Sequence, residues 1–325
     1  MTNGMTDGKT NGPLLAVVMC AVLWGLAACV TTGMQSGSPE QVWDRYIDDG
    51  LTAYNQENYA RAQRNFEAAL ETAQQFPQED LRRATSLGNL GSTHEALGNY
   101  DRAVSFQRMA LRLREKVQGN DHPEVALTLF NLATAQQSQG KYKKAEQNLT
   151  RAIKIDKKAY GAQHMEVGTD LAALAAVYLD MRDYAMAERS YRKALAILEK
   201  NLEANHPDIS VLLFKLAKVY HAKREYKKVV KILNRAIAID EKAYGPEHAE
   251  VGTDLGILAG VYYDMRSYAK AERTYKRSLA ILEKALGPNH PDVAENLDDY
   301  ALVLRKTGRS AEAAKLEARA AAIRS

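Results

Sequence analysis

The sequence predicts an all-α chain built by stacking helix pairs, and three observations carry that prediction. First, a block recurs: Gly161-Ala-Gln-His164-Met-Glu-Val-Gly-Thr-Asp170 returns as Gly245-Pro-Glu-His248-Ala-Glu-Val-Gly-Thr-Asp254, an interval of 84 residues. That interval halves, because His122, His164, His206, His248 and His290 stand 42 residues apart, as do Tyr100, Tyr142, Tyr184, Tyr226 and Tyr268. A fixed period of this size signals supersecondary units that bury their apolar faces only against neighbours. Second, each period holds two runs of helical apolar spacing. In one of them Val167, Leu171, Leu174, Ala175 and Tyr178 mark a first helix, A, and Tyr184, Ala187, Tyr191, Ala194, Leu195 and Leu198 a second, B. The stripes are too broad for a helix packed on one side only. Third, one helix-B position is almost always small (Ala62, Ala103, Ala145, Ala187, Ala271, Ala313), and so is the position seven residues on (Ala69, Ala110, Ala152, Ala194, Ala236, Ser278, Ala320). Small residues recur where helix axes approach within about 8 Å. Val229 breaks the first series, which makes the fifth pair the expected place of altered packing.

The other elements follow in chain order. Leu14 to Leu26 is an apolar run of signal-peptide length, shorter than the roughly 20 residues that span a bilayer. It ends in Leu26-Ala27-Ala28-Cys29, which resembles the lipobox of bacterial lipoproteins. The resemblance implies acylation of Cys29, residues 1–28 as the removed signal and, with Val30 rather than aspartate following, anchorage at the outer membrane facing the periplasm. A secretory signal cut at a generic small-residue site and an uncleaved apolar anchor are the alternatives. Residues 29–38 read as a tether reaching only some 15 Å, and the repeat domain as 39–325. Ser38-Pro39-Glu40-Gln41 supplies an N-cap serine, a proline at the first helical position and a glutamine placed to close a capping box.

The repeats resemble tetratricopeptide repeats of the 42-residue kind found in kinesin light chains. Leu90-Gly91, Leu132-Ala133, Leu174-Ala175, Leu216-Ala217 and Leu258-Ala259 match the helix-A signature; Ala62-x3-Phe66, Ala187-x3-Tyr191 and Ala271-x3-Tyr275 match that of helix B; a Gly-x-x-His-Pro connector stands at Gly119 to Pro123 and Gly287 to Pro291. His94 and Gln136 replace the helix-A tyrosine, and Gln107 the helix-B aromatic. The resemblance implies a right-handed α–α superhelical solenoid of about seven pairs, beginning near Val42, Leu81, Glu124, Glu166, Asp208, Glu250 and Asp292. The alanine-rich last helix, Ser310 to Ile323, suits a terminal cap.

Composition narrows the function. Hydrophobic residues make up 46% of the 325 and charged residues 26%, values of a folded chain. A net charge of +4 on 44 basic and 40 acidic residues gives no nucleic-acid footprint. Both cysteines, Cys20 and Cys29, precede the repeats, so no disulfides brace them. The five histidines stand too far apart in stacked helices to share a metal, and with Pro123, Pro207 and Pro291 following three of them they read as helix-start residues. No phosphate loop, nucleophile elbow or His-Glu-x-x-His helix is present, so neither cofactor, metal nor catalysis is expected. Asp170, Asp180, Asp254 and Asp264 read as solvated helix carboxylates, and Lys141 to Lys144 and Lys223 to Lys228 as a solvated rim.

What remains is a groove lined by the A helices. In tetratricopeptide proteins an asparagine before the Leu-Ala or Leu-Gly pair holds a ligand backbone, and Asn89 and Asn131 match it; an amide donates and accepts at once. Phe130, Phe214 and Tyr263 read as aromatic anchors or as residues packed between repeats, with Ala172, Ala176, Gly256 and Gly260 leaving room; Lys215, Lys218, Arg305 and Lys306 suit acidic groups. The expected function is a lipid-anchored, non-catalytic scaffold that binds a protein or peptide. A glycan- or small-molecule-binding or hydrolytic protein using Asp170 and Asp254, and a self-associating homo-oligomer, are the alternatives.

Overall fold

The computed structural model describes residues 37–325; Cys20, Cys29 and the apolar run lie outside them. The described residues are all-α, of the superhelical-repeat class, and form two compact units, 37–182 and 183–325. The first holds α1 (Pro39–Asn55), α2 (Tyr59–Thr72), α3 (Leu81–Ala96), α4 (Tyr100–Gln118), α5 (Pro123–Ser138), α6 (Tyr142–Tyr160) and α7 (Met165–Asp180). The second holds α8 (Tyr184–Asn201), α9 (Pro207–Ala222), α10 (Tyr226–Tyr244), α11 (Ala249–Asp264), α12 (Tyr268–Leu286), α13 (Pro291–Lys306) and α14 (Ser310–Arg324). Odd-numbered helices are A and even-numbered ones B.

Helix starts are fixed by side chains. Ser38 and Gln41 close the expected capping box. Asp80 Oδ1 accepts from the Arg82 amide at 2.8 Å. In the five later A helices the cap is histidine: Nδ1 of His122, His164, His206, His248 and His290 accepts from the amide two residues on, at 3.2 to 3.3 Å. Accepting at Nδ1 places the ring proton of each neutral imidazole on Nε2. The periodic histidines thus satisfy amides that a helix start leaves open.

Two backbone positions demand positive φ. B helices α4, α6, α10 and α12 stop at Gly119, Gly161, Gly245 and Gly287, whose φ of 88 to 95° with ψ of 152 to 161° is open to glycine alone. In the fourth connector Glu203 stands at the glycine's place in the 42-residue interval; α8 is a residue shorter, at 18, and ends one position earlier at Leu202 in an extended conformation. The A-to-B turns hold a left-handed residue: glycine at 98, 140 and 308, but Glu57, Arg182, Arg224 and Arg266 elsewhere. The first pair departs most from the period. Its B helix has 14 residues and runs into a 3-10 turn, Ala73–Gln75, before Pro77.

All the small helix-B residues are fully buried, as the close approach of axes requires. Val229 is fully buried too, and α10 keeps 19 residues, so the larger side chain is absorbed without breaking the helix. Within the units A helices touch one another, α3 with α5, α5 with α7 and α11 with α13, so they form the inner layer. On the B helices a ladder repeats 36 residues apart: Arg151 with Glu115 (2.5 Å), Arg235 with Glu199 (2.6 Å), Arg277 with Glu241 (2.6 Å) and Arg319 with Glu283 (2.5 Å). Such partly exposed pairs contribute about 0–1 kcal/mol each; they fix register more than stability. Helix α14 buries only Ala313 and Ala320. No helix among the described residues is long and apolar enough to cross a membrane.

Candidate functional site

In the first unit the A-helix layer carries Asn89 on α3 and Asn131 on α5, one repeat apart. Both are largely buried, Asn131 being 7% exposed, and Asn131 Oδ1 has no hydrogen-bond partner. An amide acceptor so placed lacks the donor that its burial calls for. One turn on, Thr134 Oγ1 lies 3.0 Å from the Asn131 carbonyl and 3.2 Å from Glu95 Oε2, joining α5 to α3. Burial pushes the Glu95 carboxyl up to about 7, against the opposing hydrogen bond from Thr134. Burial first, and then the Glu95 charge, raises the Tyr54 phenol as well. Gln137 Nε2 donates to Asp180 Oδ2 at 2.6 Å, joining α5 to α7. Phe130 is buried and lines a cavity between α5, α6 and α7.

In the second unit Phe214 is buried, while Lys215 and Lys218 are half-buried on α9. Burial, with the charge of Lys218 adding to it, brings the Lys215 ammonium down to about 8. Tyr263 on α11 is half-buried with its ring centroid 5.7 Å from that of Tyr268, and burial raises its phenol. His221 Nε2 lies 2.6 Å from Asp264 Oδ2, joining α9 to α11 where Gln137 and Asp180 join their helices. On α13 burial, reinforced by Glu295 and Asp298, pushes Asp299 up to about 6.

Several sequence expectations change. Asp170 and Asp254 are not solvated: they are 4% and 0% exposed. They stand where an A helix meets the preceding B helix, a contact that the helix-wheel reading of one repeat does not see. Asp180 and Asp264 are exposed, as expected, and in addition join A helices through Gln137 and His221. Gly256 is no open space, since a Cβ there would sit 3.1 Å from Asn296 Nδ2. Arg305 is held by Glu317 at 2.6 to 2.7 Å. The basic stretches keep the expected exposed rim, Lys141, Lys143, Lys144 and Lys228 facing solvent, and acidic neighbours pair with them: Lys143 with Glu146 at 3.0 Å, Lys228 with Glu225 at 2.6 Å, and the half-buried Lys223 with Glu188 and Glu225 at 2.6 and 2.9 Å. Of the predicted groove residues, the first unit holds Asn89, Phe130 and Asn131, and the second Phe214, Lys215, Lys218 and Tyr263. Glu95 and Thr134 were missed; a carboxylate on the inner helix face, one repeat before Gln137, was the available signal.

Comparison with known proteins gives one consistent result. The tetratricopeptide repeat model matches residues 50–116, 82–158, 167–242 and 250–325. Among solved structures, BtubC (BKLC) from P. vanneervenii is 23% identical over 64% of this chain and 84% of its own, with a TM-score of 0.57. The nearly identical TPR-like repeats of a Podosopora anserina kinesin-light-chain protein are 23% identical over 64% of this chain and 98% of their own, with a TM-score of 0.58. The apo form of RapI is 14% identical over 87% of this chain and 97% of its own, with a TM-score of 0.62. At these identities the similarity is one of fold. None of the curated proteins matches the chain.

Proposed function

Because the chain belongs to the tetratricopeptide repeat family, we propose that it is a non-catalytic scaffold holding a polypeptide segment against its A helices, tethered to the bacterial envelope through Cys29. The observation that carries the binding part is the Asn131 amide on the inner helix layer, whose Oδ1 lacks a donor. A peptide N–H would supply it once the side chain turns outward from its buried position, and Asn89 places a second amide one repeat earlier. A Rap protein of similar fold, 18% identical with a TM-score of 0.56, has been solved in complex with the competence and sporulation factor, which supports the mode of use and not a particular partner. In the second unit Lys215 would regain its full charge beside an acidic side chain, since an opposite charge offsets desolvation.

The envelope tether rests on Leu26-Ala27-Ala28-Cys29 after the apolar run from Leu14. It puts the scaffold at the outer membrane, facing the periplasm, where it would assemble or localise an envelope complex. Crosslinking and pull-down from envelopes, wild type beside Asn89→Ala/Asn131→Ala, tests the site: selective loss of one partner supports it, and equal recovery of all partners refutes it. Cys29→Ser should abolish fatty-acid labelling and release the protein from membranes; label that persists would end the lipoprotein reading.

A further inference from the structure

Where each B helix meets the next A helix, the repeats set two residues fourteen positions apart: Arg114 and Thr128, then Asp156 and Asp170, then Leu198 and Leu212. All six are buried. The first pair is a hydrogen bond, Arg114 Nη1 to Thr128 Oγ1 at 2.6 Å, and the third is purely apolar. The fold therefore accepts leucines at this contact, and carboxyls there are not a requirement of packing. Two buried acids are costly unless something compensates them.

Asp156 and Asp170 line a cavity of about 140 Å³ between α5, α6 and α7. Glu166 and Glu124 add two more carboxyls to its wall, Leu127 and Phe130 add apolar surface, and no lysine or arginine lines it. Arg114 touches Glu124 at 3.1 Å from α4, but does not reach the aspartates as a lining residue. Asp170 is 96% buried by its 4% exposure, and its Oδ2 has no hydrogen-bond partner. Burial, followed by the neighbouring carboxylates, holds both aspartates above the usual carboxylate range. The second unit repeats the pair as Asp240 and Asp254, but there Ser210 Oγ donates to Asp240 Oδ1 at 2.5 Å where the first unit has Ala126, and Asp208 and Val211 stand in place of Glu124 and Leu127. The chain supplies a hydroxyl donor in one copy; in the other, Asp156 and Asp170 hydrogen-bond to each other.

We propose that the first-unit cavity binds a primary ammonium group, presented as the lysine side chain of the bound polypeptide. Three N–H donors on a compact charge can be divided among Asp156, Asp170 and Glu166, while the methylene stem lies along Leu127 and Phe130. A guanidinium holds its five donors in one plane, which suits a single carboxylate better than carboxyls that converge from two helices, Asp156 on α6 and Glu166 and Asp170 on α7. The lysine source rests on the polypeptide-binding reading above; the ammonium chemistry stands without it.

The test titrates the full-length protein with Nα-acetyl-lysine methylamide, its Nζ-acetylated form, the arginine analogue and 1,5-diaminopentane, followed by saturation-transfer NMR. The lysine probe should bind saturably, the Nζ-acetylated form should not, and the arginine analogue should bind more weakly. Asp170→Asn should weaken the lysine probe by about tenfold or more, the value of one lost charge-assisted hydrogen bond. Asp156→Leu/Asp170→Leu, which copies the Leu198 and Leu212 pair, should fold and show no binding. Absence of lysine binding to the wild type, or binding unchanged in either variant, overturns the proposal, and tighter binding of the diamine by tenfold or more overturns the lysine source. The assay contains no partner, so its failure is separate from that of the envelope pull-down.

Discussion

Replacing Asp156 by asparagine should stabilise the protein at neutral pH and leave it unchanged in acid. The carboxyl is 6% exposed and stands at about 6 against an ordinary 3.8, because burial, with Glu166 behind it, disfavours the anion. A folded-state value above the unfolded one means that the native state holds its proton more tightly. This contribution to stability is therefore present below 3.8 and is lost as pH rises through about 6. At roughly 1.4 kcal/mol per pH unit of separation, the loss at pH 7 is on the order of 2–3 kcal/mol, and Asp156→Asn removes it. Urea denaturation of wild type and variant between pH 3.5 and 8 follows the pair: distant titrations cancel in the difference, while Asp170, which shares a hydrogen bond with Asp156 and loses a charged neighbour in the variant, contributes with it. Native-state hydrogen exchange should place the gain in α6 and α7. A difference that stays flat across that range, or that grows toward acid, would refute the assignment of a buried, proton-retaining carboxyl.

Gly50→Ala should cost about 1–3 kcal/mol, because a Cβ there overlaps the fully buried Phe66 ring, which has no room to withdraw; an unchanged denaturation midpoint would count against that packing. Arg224→Gly and Arg266→Gly should each gain on the order of 1 kcal/mol, since these residues hold a left-handed φ of 58 and 57° that a side chain disfavours, and a loss of thermal stability would contradict it. His290→Ala should cost about 1 kcal/mol by opening the amide of Asp292, whereas His290→Asn should restore it; equal melting of the two variants would show that the cap is idle.

Much of the fold was legible in the sequence because it depends on short-range quantities. The 42-residue interval, the recurring alanines and the Ser38 to Gln41 cap each describe a residue and its near neighbours, and the helices start within three residues of the predicted points. Prolines after three of the histidines mark them as helix-start residues, and the structure extends the same cap to all five. The site was less legible. Asn89 and Asn131 share a helix position that a pattern can match, but whether Asn131 keeps an open acceptor depends on what lies beside it.

By itself the sequence determined that helix pairs stack, where each begins and ends, and which face of each is small enough for close approach. Only the tertiary structure decided that Asp170 is interior, that Glu95 meets Thr134 across two repeats, and that Ser210 serves Asp240 while Ala126 leaves Asp156 without such a donor. The physical reason is that a side chain's solvation is set by the helix it meets, and at these contacts that helix belongs to the next repeat.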